Sequence, residues 1–329
     1  MIMPASRNTI PVAEANKYDP LNLLNILRER VLQLNISANP HPLEALHASE
    51  LAPTKTLRFG QLSINVFRST EELNQSIANL ISREMQKDGL IVLPSDSTHG
   101  KEGEKDGKIY EHLDRIIQKT RLPNDLVVTH MDELKNGKTS FSVSLRSWLP
   151  NLMKKLGDRF KAIDPNNFDD YAKLLKTGPR VIVGGIGAEV PAHVAYIGEE
   201  QDPITGKQTI NNEPKTITLR SAESQRRNCT EAVTMGMNSF IPRKNQKLER
   251  VILTAKGEHK AEAVSDALRQ AFGLSPHTTG ACGEILYEFT NRAPGQGPIL
   301  NLNLDAVLFK KLLENQELKD RLIQSFSNN

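Results

Sequence analysis

Arg180-Val181-Ile182-Val183-Gly184-Gly185-Ile186-Gly187-Ala188-Glu189-Val190-Pro191-Ala192-His193-Val194-Ala195 is the stretch on which the fold turns. A short β-branched run ends in glycines, and a carboxylate and a histidine follow within a few positions. A continuous apolar run of this length reads as a strand buried on both faces, the kind that parallel sheets contain. Glycines at its end let the backbone turn sharply and approach a ligand with no Cβ in the way. Gly184, Gly185 and Gly187 are therefore candidate ligand-contacting positions. Open α/β sheets bind their substrates just beyond the carboxyl ends of the strands, where Glu189 and His193 are delivered. The stretch does not complete a dinucleotide fingerprint. Gly185-x-Gly187 is followed by Val190 where a third glycine belongs, and Pro191 intrudes where the phosphate-binding helix would begin. Alone, it reads equally as a tight turn with an incidental histidine.

Two further runs shift that balance. Leu126-Val127-Val128-Thr129-His130-Met131 reads as a buried strand that ends in Asp132-Glu133. Leu90-Ile91-Val92-Leu93-Pro94 reads as another, ending in the hydroxyl-rich Ser95-Asp96-Ser97-Thr98-His99-Gly100. Three apolar strands that each end in polar chemistry point to one active-site edge of a parallel sheet. The fold class expected is α/β: a doubly wound, mainly parallel sheet in a Rossmann-like three-layer arrangement, with an N-terminal helical extension. Further strands are expected at Val181–Val183, Thr216–Leu219, Val251–Thr254 and Ile299–Leu304. Helices are expected around Tyr110–Lys119, Ser140–Leu156, Phe168–Lys176, Lys260–Phe272 and Ala306–Phe326.

The expected organisation is an extension over residues 1–55 and a main domain over 56–329. Met1 to Tyr18 is mostly polar and aperiodic and is expected to be poorly ordered. Asp19-Pro20 supplies an N-cap and first-turn proline for an amphipathic helix through Leu23, Leu24, Leu27, Val31 and Leu34, and Asn39-Pro40-His41-Pro42 breaks it. Leu57-Arg58-Phe59 and Leu62-Ser63-Ile64-Asn65-Val66 alternate as two strands around Gly60-Gln61. Ser69-x-x-Glu72 is a capping box for a helix that turns Leu73, Ile77, Leu80, Ile81 and Met85 inward and is closed by Gly89.

At 329 residues the chain is long enough for a substantial core. A net charge of +3 gives no argument for nucleic acid or an acidic membrane face. Cys229 and Cys282 lie far apart with no CxxC spacing, so neither a disulfide framework nor a zinc site is indicated, and reduced cytoplasmic thiols are expected. No charge-free apolar run approaches membrane length, and the N-terminus carries no basic-then-apolar signal pattern.

The order of these motifs resembles the superfamily of glucosamine-6-phosphate deaminases and 6-phosphogluconolactonases. The resemblance rests on Leu93-Pro94-Ser95-Asp96-Ser97-Thr98, Met131-Asp132-Glu133, and Gly184 to Gly187 with Glu189 and His193. It continues in Thr216-Ile217-Thr218-Leu219, in Ala232 to Met237, and in Val251-Ile252-Leu253-Thr254 leading to His259-Lys260-Ala261. It covers about Leu57 to Asp305, with every motif degenerate. Met131-Asp132-Glu133 without a following arginine, and Tyr196 after His193-Val194-Ala195, are closer to the deaminase branch.

The resemblance implies a phosphorylated aminosugar or related sugar as partner, a possible homo-oligomer, and no redox cofactor or metal. Asp132 matches the carboxylate that moves a proton between adjacent carbons, and His193 the group that opens the sugar ring. Glu189 matches the residue that holds the other imidazole nitrogen. Ser95, Ser97 and Thr98 match the phosphate loop, and Lys260 and Arg227 its cations. The departures are plain. The carboxylate–Gly–His run is stretched to Glu189-Val190-Pro191-Ala192-His193. A second carboxylate expected five beyond the histidine falls on Gly198, with Glu199 one later. Asp96 stands where the phosphate cradle has glycine. Two other readings follow: a non-catalytic sugar-binding or regulatory relative, and a lactonase.

Overall fold

The longest apolar runs of the chain lie side by side at the centre of one sheet. The computed structural model describes residues 53–95, 99–100, 108–137, 140–198, 200–201, 208–274, 280–295 and 297–327. The expected helix from Asp19 to Leu34 lies outside them, as do Asp96, Ser97, Thr98 and Glu199.

The main sheet contains eight strands: β1 (Lys55–Phe59), β2 (Leu62–Phe67), β3 (Gly89–Leu93), β4 (Leu126–His130), β6 (Phe160–Lys161), β7 (Val181–Gly185), β12 (Arg250–Ala255) and β13 (Ile299–Asp305). Their order is β1-β2-β13-β12-β7-β3-β4-β6. Only β1, hairpinned to β2 through Gly60, runs antiparallel; every other pairing is parallel. The doubly wound, mainly parallel sheet expected from sequence is the observed one. A small antiparallel sheet holds β5 (Asp132–Lys135), β10 (Lys215–Thr218) and β11 (Glu231–Thr234), and β8 (Glu200–Gln201) pairs with β9 (Gln208–Thr209).

Alternation along the strands sends side chains to two separate cores. Leu90 and Val92 of β3, Ile182 of β7 and Val251 and Leu253 of β12 enter one. Ile91 and Leu93, Val181 and Val183, and Ile252 enter the other. Both faces are covered, which is why these strands read as unbroken apolar runs. Helices α1 (Thr70–Glu84), α2 (Ile109–Lys119), α3 (Phe141–Trp148) and α4 (Pro150–Leu156) cover one face. The other is covered by α5 (Asp169–Lys176), α7 (Ala261–Ala271), α8 (Ala281–Thr290), α9 (Ala306–Leu312) and α10 (Gln316–Ser327). Helix α6 (Ser221–Arg227) connects β10 to β11.

Local sequence accounts for several element ends. Ser69 Oγ accepts the Glu72 N–H at 3.1 Å, and Glu72 reaches back to the N–H of Arg68, one residue before the cap, at 3.1 Å. Gly89 does not close α1; the helix ends at Glu84, and Gly89 opens β3 with φ +107°. The helix expected over Ser140–Leu156 is two helices. Pro150 disfavours helical backbone at Leu149, which sits at φ −126°, ψ 53°, and α4 starts afresh with Pro150 in its first turn. The helix expected over Ala306–Phe326 also divides, because Asn315 Oδ1 accepts the Leu318 N–H at 3.0 Å and begins α10. The strand expected over Thr216–Leu219 is β10, one residue earlier, and it belongs to the small sheet.

Candidate active site

From β3 the chain steps outward through β4 to β6, then returns to the other side of β3 and proceeds through β7, β12 and β13. The winding reverses between neighbours β3 and β7, paired at Ile91–Val181 and Val92–Ile182. At such a switch point the two connections leave in opposite directions and open a crevice beyond the strand ends. The chain leaves the sheet there at Pro94-Ser95 and at the glycines that end β7, and Ser95 is buried.

Asp132 stands at the step from the main sheet to the small one, just past the end of β4. Its carboxylate is buried, and Oδ1 accepts hydrogen bonds from Thr234 Oγ1 at 2.6 Å and from the Tyr196 N–H at 3.3 Å. Thr234 is its cross-strand partner in the β11–β5 register. The backbone on either side of Asp132 is also held. His130 Nε2 accepts the Ile163 N–H at 3.0 Å, so the proton sits on Nδ1, which donates to the Asp132 carbonyl at 2.7 Å. Burial holds that imidazole below its ordinary value, against the opposing charge of Glu133, so it stays neutral. The Tyr171 hydroxyl donates to the Met131 carbonyl at 2.9 Å.

Glu133 serves a different purpose. Its buried carboxylate accepts the Phe141 N–H at 2.8 Å, the Ser142 N–H at 3.0 Å and the Leu134 N–H at 3.1 Å, and Ser140 Oγ donates to it at 3.0 Å. It anchors the N-terminus of α3, where orphan N–H groups favour an anion.

Beyond β7 the glycine loop folds back on itself. Gly187 N–H donates to the His193 carbonyl at 3.0 Å, and Ile186 bridges Val194. The His193 ring lies against Gly187 so closely that a Cβ there would stand 2.3 Å from Cε1. A Cβ on Gly184 would stand 2.9 Å from Val194 Cγ1, so this glycine serves packing between loop and sheet. Glu189 is half exposed, and its Oε2 lies 3.6 Å from His193 Nδ1, a contact longer than a hydrogen bond. Lys260, buried at the start of α7, donates from Nζ to the Ile186 carbonyl at 2.6 Å. The loop from Ile186 to Ile197 thus connects three expected residues: Asp132 through the Tyr196 N–H, His193 through Gly187, and Lys260 through Ile186.

A buried carboxylate, an imidazole and a buried ammonium tied to one loop past the strand ends suit proton transfer on a small anionic substrate. No protein-family model matches the chain, and no curated protein matches it in sequence. Solved structures do. One is a monomeric glucosamine-6-phosphate deaminase, with TM-score 0.53 and 16% identity over 75% of this chain and 99% of that one. Another is a 6-phosphogluconolactonase from Plasmodium vivax, with TM-score 0.52 and 11% identity over 79% and 96%. The fold is that of the glucosamine-6-phosphate deaminases and 6-phosphogluconolactonases.

Within this deaminase–lactonase fold, Arg227 stands apart from the loop contacts. Its Nε donates to Glu223 Oε1 at 2.9 Å, and its guanidinium covers the Phe141 ring at 5.1 Å. The Tyr196 hydroxyl donates to the same Glu223 oxygen at 2.9 Å. Four supporting residues carry no site role in the sequence reading. Thr234 and Tyr196 support Asp132, Glu223 supports Tyr196, and Lys256 is a second buried lysine past β12, donating to Asn74 Oδ1 at 3.3 Å. A usable signal exists only for Lys256, a cation directly after the apolar run Val251–Ala255. Among the described residues no helix is long and apolar enough to cross a membrane, and no three His, Cys, Asp or Glu side chains are grouped to hold a metal ion.

Proposed function

We propose that the protein is a sugar-phosphate isomerase/deaminase, converting a phosphorylated 2-amino aldose to the ketose with release of ammonia. The observation that carries this reading is the Asp132 carboxylate, buried beside the switch point and held by two donors on one oxygen. Aldose–ketose isomerisation needs one carboxylate that takes a proton from the carbon next to the carbonyl and returns it to the neighbouring carbon. His193 removes a proton from the anomeric hydroxyl and delivers one to the ring oxygen, opening the ring, with Glu189 and Glu199 as the acidic groups around it. Water takes the place of the departing amine, which leaves as ammonia. The phosphate is bound by Ser95, Ser97 and Thr98 and by Lys260, with Gly184, Gly185 and Gly187 leaving the strand end free of side chains so that the substrate can approach. Arg227 would add its terminal amino groups, its Nε being held by Glu223. The reaction calls for neither metal nor redox cofactor and belongs with cytoplasmic sugar metabolism. Residues 1–55 are assigned to an extension of the 56–329 enzyme domain, and a homo-oligomer accords with the apolar spacing of Leu23, Leu24, Leu27, Val31 and Leu34 in the sequence of that extension.

A lactonase is the second reading, favoured by the equally good match to the Plasmodium vivax structure. There His193 would activate a water molecule against an ester carbonyl, and Asp132 would have no proton to move between carbons. Proton NMR in D₂O with glucosamine 6-phosphate and other aldose phosphates, with ammonia assayed in parallel, tests the proposal. Wild type should exchange the C2 proton and Asp132→Asn should not, while both bind the sugar phosphate. Hydrolysis of 6-phosphogluconolactone that survives Asp132→Asn, with no exchange on any aldose phosphate, would replace the isomerase by the lactonase. Binding without either reaction would make the protein a non-catalytic relative.

A further inference from the structure

The small sheet and α6 surround Asp132 with contacts that none of the expected catalytic roles requires. Tyr196 is buried, and its backbone N–H is shared between Asp132 Oδ1 and Thr234 Oγ1, each at 3.3 Å, the Thr234 hydroxyl itself donating to Oδ1 at 2.6 Å. Its hydroxyl, at the far end of the side chain, donates to Glu223 Oε1 at 2.9 Å. Glu223 is largely buried and also accepts Arg227 Nε at 2.9 Å and Arg226 Nε at 2.7 Å. The Tyr196 ring stacks on Phe141 at 6.3 Å between centroids, and the Phe141 N–H is in turn held by Glu133, the neighbour of Asp132 in β5. The contacts close a circuit: Asp132, Tyr196, Glu223, Arg227, Phe141, Glu133 and back to Asp132.

The backbone of this circuit is under strain. Ala195, directly before Tyr196, has φ +57°, the left-handed region in which the Cβ of an ordinary L-residue crowds the backbone. Ile197 N–H closes the turn on the Val194 carbonyl at 3.3 Å. Such a conformation persists only where the surroundings over-determine it. Backbone bonds hold the near side of the turn, at Gly187–His193, Ile186–Val194 and Ile197–Val194, and the hydroxyl–Glu223 bond holds the far end of the ring.

We propose that Tyr196 and Glu223 are positioning residues that fix the Asp132 carboxylate, Glu223 holding the phenol so that the strained turn keeps the Tyr196 N–H on Oδ1. The catalytic part of this assignment rests on the isomerase reading above; the structural part does not. Burial pushes the Tyr196 phenol well above its ordinary value, so it remains a donor across the working pH range. Glu223 is held below the usual carboxylate range although burial opposes this, because Arg227 and Arg226 bond and face it, so it remains an acceptor.

The test uses Tyr196→Phe, which keeps the ring and its stacking, Glu223→Leu, which removes the acceptor, and Glu223→Gln, which retains an amide oxygen. Hydrogen exchange at the Tyr196 N–H, followed on the full-length protein by amide NMR, reads the clasp whether or not the chain is an enzyme. Protection should fall by about tenfold or more in Tyr196→Phe and Glu223→Leu and be largely kept in Glu223→Gln. Exchange of the sugar C2 proton should lose about tenfold or more in kcat in the first two variants, with KM within about twofold, since small misplacements of a reacting group are costly. Unchanged amide protection in Tyr196→Phe overturns the clasp, and lost protection with unchanged kcat overturns its positioning role. If wild type turns over no sugar phosphate but the protection pattern holds, the isomerase reading fails and the clasp stands.

Discussion

Replacing Gly187 by alanine should separate activity from stability, because the atoms nearest the added methyl all belong to the His193 ring. A Cβ at this position would lie 2.3 Å from His193 Cε1, 2.5 Å from Nε2 and 2.7 Å from Nδ1. Ordinary contact begins near 3.4 Å, so the imidazole must move by about 1 Å. The nearest obstacle is the end of a side chain, not backbone, so the fold loses little. Gly187 has no positive φ, and alanine gains about 0.4–1 kcal/mol by restricting the unfolded chain. The net change in melting temperature should therefore lie within about 2 °C of zero. A reacting group displaced by about 1 Å can cost about a hundredfold in rate. We expect Gly187→Ala to unfold with wild type but to lose about two orders of magnitude in kcat for the sugar phosphate turned over. The His193 ring protons should shift in the NMR spectrum of the unliganded protein. Thermal unfolding, steady-state kinetics and that spectrum check the three parts. Full activity with a displaced ring would show that His193 is not in the chemistry. A drop of many degrees in melting temperature would show that the loop cannot yield, and would refute the packing argument.

Two further outcomes follow from buried carboxylates outside the chemistry. Glu133→Ala leaves the Phe141 and Ser142 N–H groups and the Ser140 hydroxyl without their acceptor, and should destabilise by about 3 kcal/mol in urea denaturation, far more than Asp132→Asn. A loss below about 1 kcal/mol would remove Glu133 from the anchoring role. Burial would raise the Glu84 carboxyl, but bonds from Arg180 and Lys87 and the charge of Arg250 outweigh it and hold it below the usual carboxylate range. A depressed native value means that Glu84 contributes stability above the unfolded value of 4.5, and that this is lost as pH falls through the native one. Glu84→Gln should cost about 3 kcal/mol or more near pH 7, with the gap to wild type narrowing below about pH 4; a pH-independent gap would contradict the assignment.

The main sheet is legible in the chain because its signals are local. Val181–Val183, Leu90–Leu93 and Val251–Thr254 are apolar at almost every position, as strands buried on both faces are. The start of α1 is legible in Ser69 and Glu72, whose side chains bond their own first turn. The breaks at Pro150 and Asn315 have local signals too, but the helical periodicity around each is stronger and hides them. The site divides along the same line. That Asp132, His193 and Lys260 follow strands or open helices is written in spacing alone. Their meeting depends on strand order, which puts β7 beside β3 through the pairs Ile91–Val181 and Val92–Ile182, although β4 and β6 intervene in the chain.

What holds Asp132 is not legible in the chain at all. Its donor Thr234 is 102 residues away, and the Tyr196 N–H is aimed by a turn whose conformation depends on its surroundings. Glu133 and Asp132 are adjacent and chemically alike, yet one anchors a helix and the other is held by Thr234 and the Tyr196 N–H, because neighbouring residues of a strand point to opposite sides. Local pattern states which residues sit at element ends. Only the packing of elements distant in sequence decides which of those ends face one another, since contacts across the fold carry no periodicity along it.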